Sequence, residues 1–250
     1  MDLRLGIDTG GTFTDAVLVD AARNIVQAEK SLTTRFDLSQ GIGAVISRFD
    51  AGTLQRVGMV SLSTTLTTNS VVEQLGAPVA VLLPGYDQKQ IEQSELLDIL
   101  PRSAVVELAG GFDAGGNESA ALDEEEARAA IQRLGDEVQA FAVSSMFGVR
   151  NNRHEIRVQQ MVTEMTGLPV ICGHQLASSL GAPRRALTAA LNARMVAPIR
   201  NLMDSVKSIM QQHSIQAPLM IVKGDGSLAS EQHAVERPIG TVLSGPAASV

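Results

Sequence analysis

The sequence predicts an α/β protein that contains more than one subdomain. Three observations support this prediction. The chain opens with apolar segments on both sides of a glycine turn, its first 76 residues follow the order βββαβα, and its middle third alternates strands and helices again. With 250 residues, of which 44% are hydrophobic, the chain has the length and the apolar content for a substantial core.

The predicted opening is a β-hairpin whose turn contains Gly10 and Gly11. Since glycine reaches positive φ at little steric cost, we expect positive φ at both glycines, as in two-residue hairpin turns. Residues 24–30 are predicted as the third strand and residues 57–62 as the fourth. A helix after Asp37 separates these two strands, and a helix over 64–75 completes the opening.

The last third of the chain is predicted to begin with a long helix. Pro183 suits the first turn of that helix, whereas Pro198 lacks an amide hydrogen and should kink or split it. Residues 218–222 and 239–243 are predicted as strands. Arg184 and Arg185 are expected to be solvated, as paired arginines at a helix start usually are, although they also suit a phosphate or carboxylate.

Composition excludes several classes of function. The net charge of −7 argues against a nucleic-acid backbone or an anionic membrane as the main partner. A single cysteine, Cys172, excludes an internal disulfide framework and a multi-cysteine zinc site, and we expect a buried thiol. Neither a signal peptide nor a long apolar run is visible, so a cytoplasmic location is predicted.

The glycine turn also carries groups suited to a phosphate and a magnesium ion. Glycine lets backbone amides approach an anion, hydroxyls donate hydrogen bonds, and carboxylates provide the oxygen ligands that Mg²⁺ prefers. Neither a Walker P-loop nor a G-x-G-x-x-G motif is present. The alternative is an ordinary glycine hairpin with surface threonines. The candidate residues are Asp8, Thr9, Gly10, Gly11, Thr12, Thr14 and Asp15.

Two further segments are candidates for the same site. The polar run that includes Thr65 and Asn69 follows a predicted strand and opens a predicted helix, a position that binds anions or polar groups. Its alternative role is plain helix capping by Ser63 or Thr64. The turn Gly224-Asp225-Gly226 is a second glycine turn, for which a solvated hairpin is an equally good interpretation.

Several of these motifs resemble known proteins. The pattern D-x-G-G-T-x-x-D resembles the first phosphate loop of the actin/hexokinase/Hsp70 ATPase superfamily. Together with residues 63–69, N-N-R-H-E at 151–155 and the closing L-S-G-P-A-A-S, it makes the chain similar to the N-terminal part of a hydantoinase A type subunit of the hydantoinase/oxoprolinase family. Two positions depart from the family pattern: Ser63 stands where glycine is usual, and Asn152 replaces proline.

This resemblance implies an actin-like (ribonuclease-H-like) ATPase half with an additional α/β subdomain. It implies three segments: 1–76 as the first actin-like subdomain with its phosphate loop, 77–180 as the α/β subdomain, and 181–250 as the long helix and the start of a second half. In the family a second phosphate loop follows S-G-P-A-A. Since these 250 residues do not contain that loop, we expect them alone to be catalytically silent, with weak ATP affinity and a tendency to self-associate.

The implied reaction is ATP-dependent ring opening of a cyclic amide or imide, such as 5-oxoproline or a hydantoin. ATP and Mg²⁺ are the implied cofactors, and transfer of the γ-phosphoryl group to the amide oxygen would activate the ring for water. Asp8 and Asp15 are the implied metal ligands, and Asp8, Asp15, Thr65 and Asn69 are the candidate catalytic residues. A hydantoinase B type subunit is the implied partner, and a homo-oligomer is compatible.

Two other functions stay open on the sequence alone. Sugar kinases share the first phosphate loop, but a kinase needs a carboxylate base beside a substrate hydroxyl, and no second-domain candidate for that base stands out. A non-catalytic nucleotide-binding subunit would bind ATP without turning it over. A screen of products formed with ATP and a panel of lactams, hydantoins and sugars would separate the three.

Overall fold

The computed structural model describes residues 3–34, 37–66, 76–241 and 244. The chain divides into two compact units, of which the first comprises residues 1–73 and 198–250 and the second residues 74–197. The three predicted segments, with boundaries near residues 76 and 180, stay a prediction about domains. None of the described helices combines the length and the hydrophobicity needed to cross a membrane.

The described residues form strands and helices in the following order. The strands are β1 (Leu3–Thr9), β2 (Phe13–Val19), β3 (Ile25–Leu32), β4 (Val57–Thr64), β5 (Val79–Pro84), β6 (Val105–Leu108), β7 (Gly111–Phe112), β8 (Glu118–Ala120), β9 (Ala140–Val143), β10 (Val170–Cys172), β11 (Leu219–Val222) and β12 (Leu228–Ser230). The α-helices are α1 (Leu38–Ile46), α2 (Ala51–Leu54), α3 (Gln88–Gln93), α4 (Glu124–Leu134), α5 (Arg153–Thr166), α6 (Gly173–Leu176), α7 (Ala182–Gln212) and α8 (Glu231–Glu236). Short 3₁₀ helices cover Leu96–Asp98, Arg102–Ala104 and Pro238–Thr241.

The first unit contains a six-stranded mixed sheet with the order β12-β11-β4-β1-β2-β3. Strands β1, β2 and β3 form an antiparallel meander, whereas β4 runs parallel to β1, and β11 runs parallel to β4. Strand β12 is antiparallel to β11. The carboxyl ends of β1, β4 and β11 therefore meet at one edge of the sheet, which we call the carboxyl edge of the first unit.

Helix α1 packs closely against the meander in this unit. Alternate residues of β1 and β2, such as Leu5 and Leu18, are fully buried, and so is the apolar side of α1. Gly41 lies on that side, and a Cβ atom there would come within 2.8 Å of Thr14 Oγ1 and 3.1 Å of the Leu32 carbonyl oxygen. Glycine at this position lets the helix approach the strands.

The second unit contains a four-stranded parallel sheet with the order β10-β9-β5-β6. All residues of β5 and β9 are buried, which explains why these strands are continuous apolar runs and not alternating ones. Helices α4 and α5 supply Ile131, Val158 and Met161 to the core around Phe141. From β5 the chain passes first to β6 on one side and then to β9 on the other, so the strand order reverses between β5 and β9.

The loop at the glycine pair differs from its prediction. Residues 10–12 connect β1 to β2, and the Gly10 amide donates to the Phe13 carbonyl oxygen at 3.0 Å. Neither Gly10 nor Gly11 has a positive φ. The expected positive φ values are wrong, because this connection has three residues and not the two that the primed turns require.

Helix α7 runs through Pro198, so the predicted split of the helix is wrong, and the kink stays a prediction. Proline cannot donate the hydrogen bond that the carbonyl of Arg194, four residues earlier, would otherwise accept. In the second unit that carbonyl accepts from the Ala77 amide at 2.9 Å. A partner outside the helix therefore satisfies the acceptor that Pro198 leaves open.

The predicted strand over 239–243 is also wrong in its described part, which forms the 3₁₀ helix Pro238–Thr241. The Thr241 hydroxyl donates to the Pro238 carbonyl at 2.7 Å, and the Gly240 carbonyl accepts from Gly224. These local contacts outweigh the short apolar pattern on which the strand was based. The predicted helix over 64–75 lies outside the described residues beyond Leu66.

We predict that Gly148→Ala destabilises the protein by about 2–4 kcal/mol. A Cβ atom at Gly148 would overlap Glu155 Oε1 and lie 2.7 Å from Ser145 Oγ, so it would displace a buried, hydrogen-bonded carboxylate. Chemical denaturation measures the change. The control is Gly43→Ala in α1, whose Cβ would lie 3.7 Å from Ile209 and should leave stability unchanged or raise it by about 0.5–1 kcal/mol. Equal effects of the two substitutions would contradict the prediction.

Candidate functional site

The described candidate residues all belong to the first unit and gather at its carboxyl edge. Strands β1 and β4 end there, β2 begins there, and the turn after β11 lies beyond the end of the third parallel strand. Ligands of α/β proteins commonly bind at such an edge, where several strands deliver side chains and loops to one place. The described candidates at this edge are Asp8, Thr9, Gly10, Gly11, Thr12, Thr14, Asp15, Thr65, Gly224, Asp225 and Gly226.

Both candidate aspartates belong to one row of residues that crosses four strands. Asp8 pairs with Asp15 across β1 and β2, with Ser63 on β4, and Asp15 pairs in turn with Lys30 on β3. Residues paired directly across strands share a face of the sheet. The order Ser63-Asp8-Asp15-Lys30 is called the carboxylate row below.

The carboxylate row contains partners for both negative charges. Asp8 Oδ1 accepts a short hydrogen bond from the Ser63 hydroxyl. Asp15 Oδ1 lies 2.9 Å from Lys30 Nζ, which also stands 4.7 Å above the centre of the Phe13 ring. Two like charges side by side repel each other, and the ammonium on one side and the hydroxyl on the other reduce that repulsion. Each aspartate keeps a second carboxylate oxygen.

The next residues along the strands form a buried hydroxyl row on the opposite face. Thr64 pairs with Thr9, Thr9 with Thr14, and Thr14 with Ser31. All four are at least 94% buried. The Thr14 and Thr33 hydroxyls lie 2.9 Å apart, the Ser31 hydroxyl donates to Gly41, and Thr64 Oγ1 accepts from Leu66.

Thr9 differs from the other members of the hydroxyl row. Its Oγ1 is buried and has no hydrogen-bond partner among the described residues. A buried hydroxyl without a partner costs free energy, so native proteins usually satisfy it with protein, water or ligand. The unpartnered oxygen lies at the last residue of β1, directly before the glycine loop.

The loop at residues 10–12 leaves space for a ligand. A Cβ atom at Gly11 would meet nothing within 4 Å, whereas one at Gly10 would crowd the Phe13 carbonyl oxygen at 3.2 Å. Gly11 and Thr12 are exposed. The Thr12 carbonyl accepts from Thr33 at 2.9 Å and so anchors the loop to the chain that follows β3.

The end of β4 is tied to β1 and to a distant serine. The Thr65 amide donates to the Thr9 carbonyl at 3.1 Å, which places Thr65 beside the glycine loop. The Ser244 hydroxyl donates to the Thr64 carbonyl at 2.9 Å and accepts from the Thr64 amide at 3.2 Å. Asn69, the other candidate of this segment, lies outside the described residues.

The polar groups of the turn after β11 form hydrogen bonds and an ion pair with one another. Asp225 Oδ1 accepts from the Ser227 hydroxyl at 2.6 Å and from the Ser227 amide at 3.0 Å, and Lys223 Nζ lies 3.2 Å from Asp225 Oδ2. Gly226 has a positive φ of 79°. The bonding within the turn favours a structural role for Asp225. The amides of Gly224 and Gly226 are also engaged and donate to the Gly240 and Lys223 carbonyls at 2.9 Å each.

Lys30 and Ser244 belong to this edge although sequence reasoning did not select them. Lys30 stands in register with Asp15, and counting residues along two predicted strands could have revealed it. Ser244 lies 180 residues from Thr64 in the chain, and only the S-G-P-A-A motif pointed to it. Contacts between residues so far apart in the sequence can be identified only in the folded structure.

In the second unit, the predicted buried thiol is confirmed. Cys172 is fully buried, and burial raises the pKa of its thiol far above the usual range. One candidate ligand atom from each of Cys172, His174 and Glu155 lies within 4.8 Å of the others. Both oxygens of Glu155 already accept hydrogen bonds, from the Ser145 amide at 2.8 Å and from His174 Nδ1 at 2.6 Å, so this cluster needs no ion to be satisfied.

Two sequence profiles of one protein family match this chain. Residues 4–166 match the sequence profile of the hydantoinase/oxoprolinase N-terminal region, and residues 185–250 match the hydantoinase/oxoprolinase profile. The chain belongs to the hydantoinase/oxoprolinase family. The resemblance seen in the sequence motifs is thereby confirmed.

Two proteins with similar sequences are named as enzyme subunits. Caprolactamase subunit alpha from Pseudomonas jessenii is 27% identical, and acetophenone carboxylase gamma subunit from Aromatoleum aromaticum is 25% identical. The alignments cover 98% and 90% of this chain but 39% and 35% of the relatives. The chain thus spans less than two fifths of the length of either relative.

Solved structures confirm the predicted fold class. The crystal structure of ATP-dependent caprolactamase from Pseudomonas jessenii matches with a TM-score of 0.84 at 26% identity, covering 98% of this chain and 39% of that one. The nucleotide-free structure of acetone carboxylase matches with a TM-score of 0.78 at 20% identity and the same coverage. The hydantoinase/oxoprolinase chain is therefore an α/β protein with the actin-like fold.

We predict that the Asp225 carboxyl titrates at about 2. The Ser227 hydroxyl and amide, followed by Lys223, hold its pKa below the ordinary value of 3.8. A lowered folded-state pKa means that the stabilising contribution is present above pH 3.8 and is lost as the pH falls towards about 2. Carboxyl-carbon NMR measures this pKa, and Ser227→Ala should raise it. A pKa near 3.8 in the unmutated protein would contradict the prediction.

Proposed function

We propose that the full-length protein uses ATP to open a cyclic amide or imide ring, with 5-oxoproline and hydantoins as the candidate substrate class. The observation that carries the proposal is the carboxyl edge of the first unit. There the carboxylate row lies beside an open glycine loop. Similarity to caprolactamase subunit alpha supports a lactam as the substrate.

The described residues fit a magnesium–nucleotide complex. Carboxylate oxygens suit Mg²⁺, and Asp8 and Asp15 each have an oxygen beyond the one engaged with Ser63 or Lys30. The space at Gly11 admits a phosphate. When bound, magnesium–ATP supplies the phosphoryl group that makes the amide a better electrophile.

In this proposal the chain's own residues position and neutralise charge. The amides of Gly11 and Thr12 are proposed to donate towards the phosphate oxygens, whereas the Gly10 amide is engaged with the Phe13 carbonyl and holds the loop. Asp8 and Asp15 orient the metal, and Lys30 limits the negative charge that their pairing creates. The polar groups at Thr65 and Asn69 are proposed to contact the substrate, and Gly224, Asp225 and Gly226 to border the nucleotide.

Partners and location are likewise proposals. Both relatives are named as subunits, which supports a partner subunit for this protein, and we propose that it is of the hydantoinase B type. A homo-oligomer and a cytoplasmic location are also proposed, the latter from the single cysteine. A ketone carboxylase is the second candidate function, since a carboxylase subunit is among the relatives. An assay panel should therefore include ketones with bicarbonate beside lactams, hydantoins and sugars.

We predict that Asp8→Asn lowers ATP-dependent turnover of the full-length protein about 100-fold or more, because the amide cannot replace the carboxylate charge at the metal. Its stability should change by less than about 1 kcal/mol, since asparagine still accepts a hydrogen bond from Ser63. Asp136→Asn, at an exposed position, is the control and should keep full activity. Unchanged turnover in Asp8→Asn would rule out the proposed role of Asp8.

A second prediction separates ligand binding from folding at Thr9. Thr9→Val removes the unpartnered hydroxyl and keeps the shape, so thermal stability should stay the same or rise by about 1 kcal/mol. ATP affinity should not change, because the Thr9 side chain is buried on the face of the sheet opposite the carboxylate row. Thr14→Val is the comparison, because it breaks the contact with Thr33 and should cost about 1 kcal/mol. Calorimetry of unfolding and ATP titration measure both. Loss of ATP affinity in a folded Thr9→Val variant would contradict the prediction.

A further inference from the structure

The sheet of the second unit brings polar groups together where its strand order reverses. Tyr86 follows β5, and Ser144 and Ser145 follow β9, so these residues flank the point of reversal at the carboxyl ends of the strands. The Tyr86 hydroxyl donates to the Ala182 carbonyl at 2.6 Å and lies 3.0 Å from the Ser144 hydroxyl. Open parallel sheets bind ligands in the crevice at such a reversal.

Arg185, expected to be solvated, is instead a buried cation at this place. Its exposed fraction is 3%, so the expectation is wrong for Arg185, while Arg184 is exposed. Arg185 Nη2 donates to the Ser145 carbonyl at 2.7 Å, and Nε is buried without a hydrogen-bond partner among the described residues. A guanidinium carries five N–H donors, and a buried charge is costly unless it is paired.

The nearest candidate for a counter-charge is already engaged. Glu155 is fully buried in the same polar region, and its two oxygens accept from Ser145 and from His174. Among the described residues no ion pair joins Glu155 to Arg185, although both influence the pKa of Tyr86 through their charges. The Arg185 Nε–H therefore stays without an acceptor among the described residues.

A cavity of about 470 Å³ adjoins Arg185 in this unit. The start of α7 borders it, and the first turn of a long helix has unpaired amides and a positive dipole end. None of the residues that line the cavity is acidic. The lining residues that matter here are Gln93, Gly181, Arg184, Arg185 and Thr188.

We propose that this cavity binds a small organic carboxylate, with Arg185 as the anchoring cation. A planar guanidinium matches the geometry of a carboxylate, and burial strengthens the pairing. Gln93 and Thr188 provide neutral polar groups for the remainder of the ligand. The residues that line this cavity belong to the second unit, whereas the phosphate loop belongs to the first.

The test is isothermal titration calorimetry of the purified protein without ATP. The ligands are acetate, glutarate and 5-oxoproline, with inorganic phosphate and chloride as the other anions. We expect saturable binding of at least one carboxylate and a higher melting temperature in its presence. Arg185→Met should weaken this binding about 10- to 100-fold, the range expected when a charge-assisted hydrogen bond is lost. Arg133→Met, at an exposed arginine of the same unit, should bind like the unmutated protein.

If Arg185→Met does not fold, Arg185→Lys provides a second test. Lysine keeps the positive charge but lacks the planar guanidinium group. It should weaken carboxylate binding about tenfold. Absence of carboxylate binding to the unmutated protein, or equal binding by a folded Arg185 variant, would overturn the proposal. Binding of phosphate alone would overturn the carboxylate assignment. None of these outcomes depends on ATP turnover, so they leave the proposed lactam reaction to its own tests.

Discussion

The pairing register of β1 between β4 and β2 is the constraint on which the candidate site depends. In that register Asp8 stands between Ser63 and Asp15 on one face, while Thr9 stands between Thr64 and Thr14 on the other. A slip of one residue would exchange the two faces and bury the carboxylate row among the core residues under α1. Burial of Leu5 and Leu18 makes that slip costly, so the core of the first unit fixes where the carboxylates point.

The polar side chains at the carboxyl edge form two rows that differ in their hydrogen bonding. In the carboxylate row, Asp8 accepts a hydrogen bond from Ser63, and Asp15 forms an ion pair with Lys30. Both carboxylates are therefore held in place before a cation binds. In the hydroxyl row, three members have partners and Thr9 does not. The two rows are one residue apart along each strand but lie on opposite faces of the sheet, so Asp8 and Asp15 can meet a ligand that Thr9 does not.

Sequence reasoning found the elements whose pattern is local and missed those set by distant contacts. The opening hairpin, the buried strands β5 and β9 and the capped helix α4 follow from apolar spacing and capping residues. The continuity of α7 through Pro198 depends on the Ala77 amide, and the burial of Arg185 depends on the sheet that surrounds it. Motifs located the carboxyl edge, but the Lys30 contact arises from pairing across strands, and the Ser244 contact joins residues 180 positions apart in the chain.

The division of the chain has a consequence for biosynthesis. The second unit is one uninterrupted stretch, residues 74–197, whereas the first is assembled from residues before and after it. A ribosome that releases the chain from its N-terminus delivers every strand of the four-stranded sheet before it delivers β11 and β12. The inserted unit can therefore form its sheet during synthesis, while β4 keeps an unpaired parallel side until β11 has been made.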